Sequence, residues 1–172
     1  MKPSRALGVL AIAMTACTSA PKIEAPEQLR PAAGETRAIV VAARGVQIYE
    51  CRAGKDGTGF EWTFVAPEAE LFDANTRSIG QHGAGPFWQA RDGSRVIGTV
   101  RARADAPVPG AIPWLLLTAK SVGPAGTFSD VTSVQRVNTA GGVAPVAECG
   151  AGMKGATVRV PYTADYVFYT AR

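Results

Sequence analysis

A single histidine, His82, is the one imidazole in the 172-residue sequence, and it sits in Gly80-Gln81-His82-Gly83-Ala84-Gly85-Pro86, which reads as a glycine-rich loop. As a general base it would need a carboxylate to orient it and a nucleophile to deprotonate. Glu68, Glu70 and Asp73 cluster just upstream, and Glu68 or Asp73 could serve as the orienting acid of a small hydrolase. Ser78, Ser94, Ser121, Ser129 and Ser133 lie in no GxSxG elbow. A glycosidase would place two carboxyls about 5–10 Å apart beside aromatic platforms, and Trp62 and Trp88 are available. The same residues also read as a solvated loop with core tryptophans. The alternative use of His82 is hydrogen bonding in a ligand site: glycines let a ligand approach backbone, and Trp88 adds apolar area plus an N–H donor. Tyr49 and Tyr162 are further candidates for that site.

Metal and nucleotide chemistry find little support. One histidine and a few cysteines are too few ligands for zinc, and Asp73-Ala74-Asn75 is too sparse for calcium. Gly54-Lys55-Asp56-Gly57-Thr58-Gly59 has neither the P-loop nor the GxGxxG spacing, and a hairpin turn accounts for it. No metal and no cofactor is expected.

The elements that must position these residues read as strands. The longest stretch without Gly or Pro, 127–140, has only 14 residues, which leaves no room for a helical bundle. Thr36–Arg44, Val46–Arg52, Phe60–Phe64, Phe87–Arg91, Arg95–Arg103, Pro113–Val122, Val131–Asn138, Thr157–Val160 and Tyr162–Thr170 are rich in β-branched or aromatic residues or alternate at period two. Asp92-Gly93 is a strong hairpin signal, Gly123-Pro124-Ala125-Gly126 separates two strands, and 106–113 is a Pro-rich crossing. Glu68–Asn75 is the one short stretch read as a helix. The fold class is all-β, an antiparallel sandwich or barrel of about nine strands with little helix. On the last strand Tyr162, Ala164, Tyr166 and Phe168 share one face and Thr163, Asp165, Val167 and Tyr169 the other, as in a strand covered on both sides. Asp165 or Arg136 could partner the tyrosine hydroxyls. Core packing and a pocket wall both fit this pattern.

Residues 1–16 are an address. Lys2 and Arg5 precede the uncharged apolar run Ala6–Ala16, which is too short to span a bilayer. Met14-Thr15-Ala16-Cys17 resembles a bacterial lipobox, in which the cysteine is lipidated; ordinary cleavage near Ala16 or Ala20 is the alternative. Thr18 is not the aspartate associated with inner-membrane retention, so likeness to known lipoproteins points to the outer membrane. Residues 17–35, with three prolines and mixed charge, read as a tether, leaving 36–172 as one β domain. The whole chain carries 18 basic and 14 acidic residues; without Lys2 and Arg5 the surplus falls to +2. No basic run remains, so nucleic acid is not an expected partner. With Cys17 given to lipid, Cys51 and Cys149 are most simply one disulfide in an oxidising compartment.

From Gly45 onward the sequence resembles domain-of-unknown-function family 3455, exported proteins of bacteria and fungi. The stretches that carry the resemblance are Gly45–Cys51, Gly80 and His82 with Gly85-Pro86, Trp88, Asp92-Gly93-Ser94, and Ile112–Leu116. They continue with Gln135-Arg136-Val137, Gly141-Gly142, Ala144-Pro145, Cys149 and Pro161–Tyr166 with Phe168-Tyr169. The chain departs from the family pattern at Gly83-Ala84, where the family has a larger residue first. The resemblance implies an exported domain and supports the Cys51–Cys149 pair; it brings no activity. The expected function is a lipid-anchored cell-envelope module, held to the membrane through Cys17, that binds an unknown small ligand or serves a structural role, without catalysis. The hydrolase with His82 as base, and a domain that docks an envelope protein through a sheet edge, are the alternatives.

Overall fold

The computed structural model describes residues 24–147 and 149–172. The signal segment, Cys17 and the tether up to residue 23 lie outside them. Eight antiparallel strands follow one another around a closed barrel: β1 (Glu35–Ala53), β2 (Phe60–Phe72), β3 (Ser78–Gly83), β4 (Phe87–Ala90), β5 (Arg95–Ala104), β6 (Trp114–Ser121), β7 (Val131–Gly141) and β8 (Thr157–Ala171). β8 pairs with both β7 and β1, which closes the ring. Among the described residues the only helices are two three-residue 3₁₀ turns, Glu27–Leu29 and Ala151–Met153.

Eight strands agree with the all-β barrel expected at about nine, and the reasons for the difference of one are local. Gly45 does not divide β1: a Cβ there would lie 2.0 Å from the Glu68 carbonyl oxygen, so this strand approaches β2 too closely for any side chain. Pro161 does not divide β8, because it lies just beyond Gly141↔Tyr162, the last β7 pair, where a missing N–H is tolerated. Glu68–Asn75 is not a helix. Glu68 and Glu70 point outward while Ala69 and Leu71 point inward, and pairing with β1 overrides the helix preference of Ala, Glu and Leu. β3 stands where a glycine-rich loop is expected: Ser78-Ile79-Gly80-Gln81-His82-Gly83 has weak strand propensity of its own, and Gly80 is there because a Cβ would lie 2.2 Å from Gln89 O on β4.

The predicted alternation on β8 holds. Tyr162, Ala164, Tyr166 and Phe168 belong to the barrel interior with Val41, Leu71, Trp88, Val96, Phe128 and Val134. Val167 faces outward and is nonetheless fully buried, with Trp114, Leu116 and Val137 from neighbouring strands. Leu29 covers this outer patch. Residues 24–34, read above as the end of the tether, thus lie along the barrel wall: Gln28 Nε2 donates to Arg103 O (2.8 Å), Gln135 Nε2 donates to Leu29 O (2.7 Å), and Glu35 accepts from Thr132 and Ser133.

One end of the barrel is sealed. The predicted Asp92-Gly93 hairpin joins β4 to β5, and the Asp92 carboxylate accepts from the backbone N–H and hydroxyl groups of both Ser94 and Thr127. The Ser94 hydroxyl, followed by the Thr127 donors, holds that carboxyl far below the usual range. The clasp seats Phe128, stacked on Phe168 at 4.5 Å, as a plug. At the other end Cys51 and Cys149 form the expected disulfide, tying the end of β1 to the β7–β8 loop.

Candidate ligand site in the barrel mouth

Strand lengths decide where the barrel opens. β2 pairs with β3 only over Ala69–Phe72, and β5 with β4 only over Arg95–Ile97. The short β3–β4 hairpin therefore stops partway up the wall, and its turn, Ala84–Pro86, forms the sill of a notch. Exposed Phe64, Val65 and Val100 flank the notch, an unusual grouping of large apolar side chains at a surface. Behind it lies a cavity of about 320 Å³, lined by Phe64, His82, Trp88, Leu115, Leu117, Val100, Arg136 and Tyr166 among others. An eight-stranded barrel is just wide enough to hold one small ligand where side chains leave room.

Register places the chemical groups. Ala69, His82, Trp88 and Val96 are successive cross-strand partners on β2 to β5, so all four face inward. Trp88 fits because β5 carries Gly98 opposite its ring: a Cβ there would come within 2.8 Å of the indole. His82 stacks on Trp88 (4.7 Å between centroids, 15° between planes) and tilts against Tyr166 (4.9 Å). The His82 Nδ1 lies 2.7 Å from Phe87 O. A carbonyl only accepts, so Nδ1 carries the hydrogen and Nε2 is left as an acceptor, with no partner among the described residues. Burial drives the His82 pKa down to about 4; the bond to Phe87 opposes this and the Arg136 charge adds to it. At neutral pH the ring is uncharged.

Arg136 is the charged member. Its partners Tyr166 and Leu115 face inward, and so does Arg136. Its Nε and Nη2 both donate to Pro113 O (3.0 and 2.8 Å). Its positive charge reaches the hydroxyls of Tyr49, Tyr162 and Tyr166, lowering their pKa values slightly against the larger upward push of burial.

The structure brings His82 and Trp88 together on the cavity wall but in a different setting from the glycine loop expected: His82 stands on a strand. Tyr49 and Tyr162 face inward yet stand back from the cavity. Tyr49 donates to Gly142 O (2.7 Å) and packs edge-on against Phe64; the Tyr162 hydroxyl meets that of Tyr166 at 3.4 Å. Asp165 is not a tyrosine partner, because it faces outward and accepts from Asn138. The acids proposed to orient His82 are engaged elsewhere: Glu68 with Arg159, and Asp73 with Asn75 and Arg77 in the β2–β3 turn. Trp62 donates to Ala147 O. The ring of His82 is oriented by a backbone carbonyl, and no serine bonds to it among the described residues. A neutral base with a pKa near 4 and no nucleophile is poorly suited to hydrolysis at neutral pH. Among the described residues no three His, Cys, Asp or Glu side chains converge as metal ligands. A wider hollow of about 910 Å³ outside β2 and β3 is shallow and lined by charges such as Glu68 and Arg159 that already pair with each other.

A family model described as a protein of unknown function (DUF3455) matches residues 31–170, which is 140 of the 172 residues. The chain belongs to DUF3455. No curated protein matches the sequence. The span matched to DUF3455 takes in every strand except Ala171, and with it the whole cavity wall. Of the stretches by which the sequence resembles DUF3455, those holding His82, Pro86, Trp88, Leu115, Arg136 and Tyr166 meet at the cavity.

Proposed function

We propose that this DUF3455 protein is a non-catalytic receptor that takes one small, largely apolar molecule into the barrel mouth. The observation that carries this reading is the cavity itself: apolar walls with two convergent polar groups, His82 and Arg136, at the mouth of a closed barrel. The positive n-region, apolar run and Met14–Cys17 lipobox-like ending support export and lipid anchoring at Cys17, with the outer membrane favoured by Thr18. The domain then works in the cell envelope.

The test is a thermal-shift screen of the exported, disulfide-bonded protein carrying Cys17→Ser to prevent lipidation. The panel holds fatty acids, small phenolics and their neutral counterparts, peptidoglycan fragments, oligosaccharides and divalent metals. A ligand at 100 times its dissociation constant stabilises by about 2.7 kcal/mol. For a domain of this size that is a rise of roughly 8–15 °C. Leu115→Trp, which fills the cavity from a half-buried wall position, should abolish the rise. A flat response across the panel overturns the small-ligand reading. The unpaired β2 and β5 edges flanking the notch would then favour docking of a protein partner by strand addition.

A further inference from the structure

Building on the small-ligand reading, we infer that the occupant of the barrel mouth is a monocarboxylic acid with a compact apolar body, held through Arg136. Arg136 faces a cavity whose other walls are apolar or uncharged. Among the described residues it has no acidic partner, and the acids nearest in kind are committed elsewhere: Glu35 to Thr132 and Ser133, Asp92 to Ser94 and Thr127, Asp165 to Asn138. Two of its five N–H donors go to Pro113 O, which fixes the plane of the guanidinium. A further donor is engaged by the Tyr166 hydroxyl, which leaves two N–H groups for a ligand. A half-buried cation without a counterion is costly, and a carboxylate offsets it with two parallel, charge-assisted hydrogen bonds.

Charge and size narrow the class. One cation faces the cavity and the neighbouring His82 is neutral at pH 7, so a monoanion balances the site. A dianionic phosphate would leave a charge uncompensated among apolar walls. A volume of about 320 Å³ equals about ten water volumes at ~30 Å³ each, which fits an acid of on the order of ten non-hydrogen atoms. The stacked His82–Trp88 pair, Tyr166 and Leu117 give that body a flat, apolar bed.

The experiment compares cinnamate with cinnamamide and octanoate with octanamide by calorimetric titration of the exported, disulfide-bonded protein carrying Cys17→Ser. The expected result is that at least one acid binds ten-fold or more tighter than its amide. Which acid does so separates an aromatic from a lipid-derived source. In Arg136→Met the acid should fall to the affinity of the amide while the amide is unchanged; Arg136→Lys should lie between. The acid–amide comparison in the unsubstituted pocket stands even if Arg136→Met does not fold. Equal affinity of acid and amide would overturn the carboxylate inference and leave the ligand site intact. No binding by any of the four would overturn the inference, and a flat response in the wider thermal-shift panel would remove the ligand site as well.

Discussion

Burial of His82 makes a prediction that can be read from stability alone. In the unfolded chain the imidazole takes a proton near pH 6.5; in the barrel it does so only near pH 4. Between those values the unfolded state binds the extra proton, so stability falls as pH drops through that window and levels below it. The full loss is roughly 3 kcal/mol. Urea midpoints measured from pH 7 to pH 4 should decline in the wild type and stay nearly flat in His82→Gln. An equal slope in the variant would assign the effect to another group. The hydrogen-bonded carboxylates of Asp92, Asp73 and Glu68, all held below their ordinary values, begin to act as the pH falls toward those ordinary values, so they enter only at the acid end of this window, where the slope that persists in His82→Gln measures their share. His82 and Trp88 were legible in the sequence because their types are scarce and chemically distinctive. Arg136 was legible only as a tyrosine neighbour. On β7 Val134 and Arg136 alternate with Gln135 and Val137, and all but the half-buried Arg136 are buried. With both faces covered, alternation could not tell which side was the interior.

Elements show the same limit from the other direction. Where turn chemistry was explicit, as at Asp92-Gly93, the sequence placed the hairpin. Where a strand rests on its neighbours more than on its own propensity, as β3 does, it read as a loop. The wall segment 24–34 is hard to see in the sequence for a comparable reason: one leucine among prolines and alanines is a weak local signal, yet Leu29 is fully buried over Trp114, Leu116, Val137 and Val167. Leu29→Ala should therefore cost about 2–4 kcal/mol, as for a core leucine, although Leu29 lies outside the barrel. A loss under about 0.5 kcal/mol in urea denaturation, the range of an ordinary surface change, would show that the segment merely rests on the wall. Gly98→Ala should cost about 1–3 kcal/mol through overpacking against Trp88. It should also weaken any ligand that occupies the cavity, measured by the same titration.

At the scale of the molecule the barrel is clasped at one end by Asp92 and stapled at the other by Cys51–Cys149. The staple closes a sequence separation of 98 residues, and the chain-entropy account assigns such a loop about 4–5 kcal/mol. Cys51→Ala with Cys149→Ala should lower the melting temperature by roughly 10–20 °C, and scanning calorimetry checks it. The course of residues 24–34 has a different consequence. Gln28 sits at Arg103, near the open end of β5, and Glu35 reaches Thr132 and Ser133 near the clasped end. The chain thus joins the barrel beside its mouth. Six residues separate Cys17 from Glu24, a maximum reach of about 25 Å at ~3.3–3.6 Å per residue. β5, with ten residues, is about 33 Å long and, tilted by about 40° as barrel strands are, rises about 25 Å. Were Cys17 lipidated, as proposed, this leash would start at the open end and be no longer than the wall, which would hold the mouth nearer the bilayer than the plugged end. An acid dissolved in the leaflet would then be collected by lateral diffusion along the membrane, at a local concentration set by its partitioning into lipid instead of by its level in the surrounding fluid.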